Sequence, residues 1–142
     1  MTKLGRQKIF EKLERLKEYI SYLKTLRSEA KSEAQFLADF HLFGNAERYL
    51  QLSAQSIIDS AHLVIIDQGI QRPDDNYEAV SLLRGQGIIS ESLADALTKM
   101  VGLRNILVHE YGTIDRKKVY EILTTRIGEL EEFQKQILTH LS

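Results

Sequence analysis

The sequence predicts an all-helical protein, an up-and-down bundle of about five to six helices. Apolar side chains recur every three or four residues along most of the chain, as they do on one face of a helix. No segment shows the strict alternation of a β-strand, and one proline and eight glycines leave long stretches without helix breakers. Because the chain contains neither an internal repeat nor a linker, residues 1–142 are expected to form a single domain.

Apolar stripes and capping residues define the first three helices. The first is expected over about residues 4–27, where the stripe consists of Ile9, Leu13, Leu16, Ile20 and Leu23. Ser32 and Gln35 suit a capping box for a short second helix that carries Phe36, Leu37 and Phe40. A long third helix is expected to open at Gly44-Asn45 and to close at Gly69. Its apolar face consists of Leu50, Ala54, Ile57, Ile58, Ala61, Val64 and Ile65.

Three further helices are expected in the second half of the chain. Asp75 with Glu78 reads as the capping pair of a short fourth helix. Ser90 is expected to cap a fifth helix that runs toward His109, and Asp115 to cap the last helix. The buried stripe of that last helix is expected to consist of Val119, Ile122, Leu123, Ile127, Leu130, Phe133 and Ile137.

Composition restricts the location and the chemistry of the protein. The absence of cysteine excludes disulfides and thiolate metal sites, and the four histidines lack the spacing of metal ligands, so no metal or other cofactor is expected. The N-terminal segment lacks the apolar core of a signal peptide, and no segment approaches the ~20 apolar residues of a membrane span. We therefore expect a soluble, cytoplasmic protein. A net charge of -1 shows no basic excess, so any contact with RNA must come from a few arginines in a cleft.

The stretch from Met100 to Asp115 places ionisable side chains in unusual positions. On an ideal helix, Arg104 falls in the middle of an apolar face. An arginine in such a place is costly unless it is paired or faces a cleft or a partner, so position alone leaves a structural ion pair and a functional site both open. His109 lies near the helix end, where it could interact with the last carbonyl groups, and Tyr111 follows it.

A polar strip lies beside the apolar face of the third helix. By helical geometry it consists of Gln51, Gln55, Asp59 and His62. Such a strip is either a solvated flank or the wall of a cleft. If it is a cleft wall, Asp59 is the natural candidate to pair with Arg104 or to orient His109.

The segment from Arg104 to Tyr111, RNILVHEY, resembles the Arg-x4-His-x-Tyr motif of the HepT-type proteins in the HEPN superfamily. The segments at residues 47–59 and 97–103 agree with the pattern that flanks this motif, and the resemblance is close over about residues 36–123. It implies a HEPN-type helical bundle that forms a homodimer, with the motif near the cleft between the two copies.

The resemblance also implies a metal-independent endoribonuclease. Cleavage by attack of a 2′-OH needs a proton acceptor and donor near neutral pH, and His109 would fill this role. Arg104 would hold the phosphate, because a guanidinium fork matches its oxygens. Asn105 would position the RNA or the histidine, with support from Asp59 and Gln55.

Two residues five apart on a straight helix point about 140° away from each other. Arg104 and His109 can therefore converge only if the helix is distorted near its end or if two copies share one site. The homodimer that the resemblance implies would provide the second arrangement.

The implied partner is a small MntA-type nucleotidyltransferase antitoxin, which transfers AMP to Tyr111. A bulky anionic group beside Arg104 and His109 would mask the cation and exclude an RNA phosphate. On the residues alone, an ordinary tyrosine that packs at a turn is the more common case, and only the family resemblance favours an AMP acceptor.

Three functions remain to be compared. A ribonuclease toxin needs both Arg104 and His109, whereas a non-catalytic HEPN module that binds a nucleotide, RNA or a protein does not need both. The nearly neutral charge favours the binding module. A purely structural dimer would leave Arg104 on its apolar face without a purpose.

Overall fold

The computed structural model of the chain describes residues 3–109 and 115–142, and side chains 103–109 lie outside this description. Within these ranges all regular structure is helical, which confirms the predicted fold class. The seven helices are α1 (Lys3–Glu29), α2 (Glu33–Ala38), α3 (Phe40–Asp67), α4 (Asn76–Gly85), α5 (Glu91–His109), α6 (Arg116–Thr125) and α7 (Ile127–Leu141). None of the helices in the described part is long and apolar enough to cross a bilayer.

Three long helices pack side by side with alternating direction. Lys12 of α1 contacts Asp59 of α3, whereas Tyr22, further along α1, stacks against Tyr49, nearer the start of α3. These two helices are therefore antiparallel. Helix α7 is antiparallel to α1 as well, because Arg6 donates a hydrogen bond to the carbonyl of Leu141, whereas Lys24 pairs with Glu131. Helix α1 therefore runs opposite to both α3 and α7, which are parallel to each other.

The predicted apolar stripes form the core between these helices. Every stripe residue predicted for α1, α3 and the C-terminal helices is buried, and Phe36 and Phe133 are among the largest side chains with no exposed surface. Full burial of a large apolar side chain contributes roughly 1.5–3 kcal/mol relative to exposure. The stripes therefore account for the way the helices pack together.

The four predicted N-caps are all present. In each case a side-chain oxygen accepts a hydrogen bond from a backbone N–H of the first turn, which satisfies a donor that the helix itself cannot pair. The pairs are Ser32 with Gln35 at 3.1 Å, Asp75 with Glu78 at 2.7 Å, Ser90 with Leu93 at 3.2 Å and Asp115 with Lys118 at 3.3 Å.

Gly69 terminates α3 as the sequence predicts. Its φ of 72° is a left-handed conformation, which costs glycine little because it has no Cβ. The turn lets the N–H of Ile70 reach the carbonyl of Ile65 at 3.2 Å, the Schellman pattern of helix ends.

The predicted start of α3 is wrong. The helix begins at Phe40 and not at Gly44-Asn45, so Phe40 belongs to α3 and not to α2. The side chain of Asp39 accepts a hydrogen bond from the N–H of His41 at 3.0 Å and caps the helix there. A good capping residue earlier in the chain outweighs the weak helix propensity of one glycine inside the helix.

The last predicted helix is in fact two, α6 and α7, separated at Arg126. In one continuous helix, position 126 would lie on the buried stripe, four residues after Ile122 and four before Leu130. The break removes this charged side chain from the core and lets its guanidinium pair with Glu129 at 2.9 Å, while Ile127 occupies a buried position instead. Over residues 3–109 and 115–142, seven helices therefore replace the predicted five to six.

Candidate functional site

Helix α5 carries the motif, and it is helical without interruption from Glu91 to His109. The positions of Arg104, Asn105 and His109 lie on this helix, although their side chains are outside the described residues. Tyr111 lies outside the described residues altogether. The surroundings of the motif consist of the α5 backbone and the described side chains of α3, α4 and α6 beside it.

Two faces of α5 lead to different residues of the motif. The buried stripe includes Leu97 and Val101, and position 104 continues it, seven residues after Leu97. A less buried stripe contains the exposed Thr98 and the half-buried Gly102, and position 109 continues that one, seven residues after Gly102. Because the helix is regular up to His109, the two motif positions stay about 140° apart within one chain. The backbone of α5 within one chain therefore does not place these two positions on one face.

Described contacts on either side of the motif show which part of α3 runs beside it. At one end, His62 of α3 lies within hydrogen-bond distance of Asn76 at 3.1 Å. The hydroxyl of the next residue, Tyr77, lies 3.4 Å from the position that a Cβ atom would occupy at Gly102 of α5. At the other end, Glu47 of α3 forms an ion pair with Arg116 at 3.3 Å, at the start of α6. Residues 48–61 of α3 therefore span the level at which α5 carries the motif. The predicted supporting residues, Gln55 and Asp59, are within this segment.

Asp59 is held by two side chains that the structure describes. Its Oδ2 atom pairs with Lys12 Nζ at 3.2 Å, and its Oδ1 atom accepts a hydrogen bond from Gln55 Nε2 at 2.8 Å. The predicted pairing with Arg104 or orientation of His109 concerns side chains outside the described residues. An exposed ion pair of this kind contributes only about 0.2–1 kcal/mol, so the carboxylate can exchange Lys12 for another cation at little cost.

Lys12 is a partner of Asp59 that the sequence did not reveal. It lies on α1, 47 positions from Asp59 in the chain. A lysine at the edge of an apolar stripe usually extends into solvent, and nothing local distinguishes it from Lys8 or Lys17. Only the packing of α1 against α3 brings it to Asp59.

A groove of about 1290 Å³ lies along α1 and α3 and includes this cluster. Gln55 and Asp59 line it from α3, and Lys12, Arg15 and Tyr19 are among the residues that line it from α1. These two members of the predicted polar strip therefore form part of a cleft wall. The lining side chains carry both signs of charge, and so the groove as a whole is not a strongly cationic surface.

Arg116 joins the start of α6 to the start of α3. Its guanidinium carbon lies 4.1 Å from the centre of the Phe43 ring, a cation–π contact, while its Nε atom pairs with Glu47. Burial raises the pKa of Glu47 above its ordinary value, and the charge and hydrogen bonding of Arg116 oppose this rise. These contacts fix Arg116, which is five residues after Tyr111, against the start of α3.

Among the described residues, no group of histidine, aspartate and glutamate side chains is arranged to hold a metal ion.

Comparison with protein families identifies a match to the model for ribonuclease HepT-like proteins over residues 9–137. A tRNA nuclease HepT from Aphanizomenon flos-aquae is 30% identical over 141 residues, which are 99% of this chain and 95% of that protein. An mRNA nuclease HepT from Shewanella oneidensis is 29% identical over 125 residues, 88% of this chain and 92% of that protein.

Solved structures agree with the sequence comparisons. A tri-AMPylated Shewanella oneidensis HEPN toxin in complex with an MNT antitoxin superposes with a TM-score of 0.84 at 27% identity, over 98% of this chain and 99% of that chain. A toxin–antitoxin structure with AMP-PNP gives a TM-score of 0.82 at 27% identity, over 92% and 97% of the two chains. The fold is therefore that of the HEPN toxins.

Proposed function

The chain belongs to the HepT-like ribonuclease family, and we propose that it is a metal-independent endoribonuclease, the toxin of a cytoplasmic toxin–antitoxin pair. The observation that carries this proposal is the combination of a family match over residues 9–137 with the Arg104–His109 motif on the regular helix α5. The nuclease names of two relatives of nearly full length support the same activity.

The chemistry requires one proton transfer at each end of the scissile bond. The 2′-oxygen of the RNA attacks the adjacent phosphorus while the bond from phosphorus to the 5′-oxygen breaks. The imidazole of His109 takes up the 2′-OH proton or donates a proton to the leaving 5′-oxygen. The guanidinium of Arg104 stabilises the charge that develops on the phosphate oxygens, with Asn105 positioning the RNA.

We further propose that the active form is a homodimer in which two copies share each site. On a regular α5, Arg104 and His109 of one chain face about 140° apart. Arg104 of one copy facing the partner subunit's His109 would bring the two groups to a single phosphate. Asp59 and Gln55, at the level of the motif on α3, would support the arginine.

Silencing by a nucleotidyltransferase is the proposed control of this activity. The Shewanella oneidensis HEPN toxin is AMPylated and bound to an MNT antitoxin. By analogy, an MntA-type antitoxin would transfer AMP from ATP to the hydroxyl of Tyr111 and release pyrophosphate. The added phosphate would pair with the Arg104 guanidinium, which would otherwise bind the RNA phosphate.

The test is RNA cleavage by the purified protein in the presence of EDTA, with Tyr111 confirmed free of AMP by mass spectrometry. His109→Ala should lower the cleavage rate by about 10²–10⁴-fold, the range typical for loss of a general acid or base. His41→Ala is the matched control, because His41 is an exposed histidine at the start of α3. Treatment with the antitoxin and ATP should abolish cleavage by the wild type, whereas Tyr111→Phe should remain active.

Unmodified wild-type protein that cuts no RNA would refute the ribonuclease proposal. The alternative, a non-catalytic HEPN module that binds a nucleotide, RNA or a protein, would then describe the Arg104–His109 site.

A further inference from the structure

Tyr77 is an exposed aromatic residue that lies against the motif-bearing helix. It is the second residue of α4, and 41% of its surface is exposed. Its hydroxyl lies 3.4 Å from the position that a Cβ atom would occupy at Gly102 of α5. No hydrogen bond joins this hydroxyl to any residue that the structure describes. The ring is therefore neither part of the core nor engaged in a polar contact of the described chain.

The first turn of α4 is fixed in place around Tyr77. Asp75 caps the helix, and the side chain of Asn76 lies 3.1 Å from His62 Nε2 on α3. Ala79 and Val80, just after Tyr77, are buried in the core. The tyrosine thus stands on a rigid support, which lowers the entropy lost when a ligand packs against its ring.

Tyr77 is on the same side of α5 as the position of His109. Gly102 and His109 are seven residues apart, two turns of a regular helix, and so they lie on one stripe. Seven residues rise about 10.5 Å along the axis. Stacked nucleotides are spaced by about 3.4 Å along a strand, so the rise of about 10.5 Å between Gly102 and His109 corresponds to about three nucleotides.

We propose that Tyr77 stacks on an unpaired nucleobase about three nucleotides from the scissile phosphate, at which His109 transfers a proton. This inference rests on the proposed ribonuclease function and specifies its substrate as single-stranded RNA. An aromatic ring offers a face on which any base can stack, but only a base that is not already enclosed in a duplex can reach it. Tyr77 would thus contribute to substrate selection, while the chemistry belongs to Arg104 and His109.

Tyr22 provides a matched control. It is a tyrosine of nearly equal exposure, 39%, but it lies on α1. Its ring centre is 4.9 Å from that of Tyr49, and its hydroxyl donates a hydrogen bond to Glu18. Both its ring and its hydroxyl are already engaged, so its removal should not affect RNA that approaches α5.

The test measures binding separately from cleavage. In the His109→Ala background, the affinity for a fluorescent single-stranded RNA oligonucleotide is followed by anisotropy. Tyr77→Ala should weaken binding by about 10-fold, within the range for loss of one base–aromatic stack. Tyr77→Leu, which keeps an apolar side chain but lacks a flat ring, should behave in the same way. Tyr77→Phe should bind within about 2-fold of the parent, because it keeps the ring. Tyr22→Ala should leave the affinity unchanged.

A second arm uses a duplex of the same length, which should bind more weakly and should not respond to Tyr77→Ala. Equal effects of Tyr77→Ala and Tyr22→Ala on single-stranded RNA would overturn the inference, and so would an absence of RNA binding. If the wild type still cleaves RNA while Tyr77→Ala binds normally, the stacking proposal fails and the ribonuclease proposal stands.

Discussion

Glu47 illustrates how the folded chain changes the chemistry of a single side chain. Its carboxylate is only 17% exposed, and burial raises its pKa although Arg116 lies 3.3 Å away. A carboxyl group whose pKa is raised by folding contributes stability below its ordinary pKa of 4.5 and loses that contribution as the pH rises through the folded value. Ionised Glu47 is therefore less favourable in the fold than in the unfolded chain, even with its arginine partner.

We expect Glu47→Gln to remove this pH dependence. The difference in unfolding free energy between the variant and the wild type should shift in favour of the variant as the pH rises from below to above 4.5. Urea unfolding at a series of pH values measures this difference. Glu121→Gln, an exposed glutamate on α6, controls for the loss of one acidic side chain. Unfolding free energies of Glu47→Gln and wild type that differ by the same amount at every pH would contradict the expectation.

For single residues, the sequence predicts which side chains belong to a motif better than it predicts which side chains they contact in the fold. Arg104 and His109 are recognisable because their spacing and neighbours follow a known motif. Lys12 and Tyr77 are not, because their positions beside Asp59 and Gly102 depend on how separate helices pack together. The proposed roles of Arg104, His109 and Tyr111 remain predictions.

Helix α4 shows what a short element needs in order to be ordered. It has ten residues, fewer than the ~12–15 at which an isolated helix becomes even marginally stable in water. It therefore depends on packing through Ala79, Val80 and Leu83 and on the cap at Asp75. Because Tyr77 stands on this helix, the same contacts also fix the proposed RNA-stacking ring.

We expect Asp75→Ala to lower the unfolding free energy by about 1 kcal/mol, the usual effect of losing an N-cap side chain. Asp74→Ala is the matched control, since Asp74 is an adjacent exposed aspartate whose side chain does not cap the helix. Chemical denaturation measures both variants. Equal stability of the two would show that the 2.7 Å hydrogen bond to Glu78 has no net effect in solution.

At the scale of helices, local signals were more reliable than patterns that extend across a boundary. All four N-caps were correct because a cap depends on three or four consecutive residues. The start of α3 and the division between α6 and α7 were wrong, since Gly44 is accepted inside a helix and Arg126 interrupts a stripe that looks continuous. The cap at Asp39 decides the first case, and the removal of Arg126 from the core decides the second.

The whole molecule follows from three helices that alternate in direction and share one core. The stripes of α1, α3 and α7 are apolar on the faces that meet, so their burial fixes how the helices pack. In this bundle, the position of Arg104 lies on the buried side of α5, and the position of His109 lies on its less buried side. Sequence could predict the bundle, but it left open whether one chain or two complete the site.

The regularity of α5 up to His109 has a genetic consequence if each site combines residues from two copies. Arg104→Ala and His109→Ala would each be inactive alone, but a mixed dimer would contain one site in which both residues are intact. Random association makes half of the dimers mixed, and so co-expression should restore about a quarter of the wild-type cleavage. The amount of RNA cleaved by the co-purified mixture measures this. Cells that carry both defective alleles would then be poisoned, although neither allele alone is toxic. If the mixture stays inactive, each chain must hold a complete site by itself.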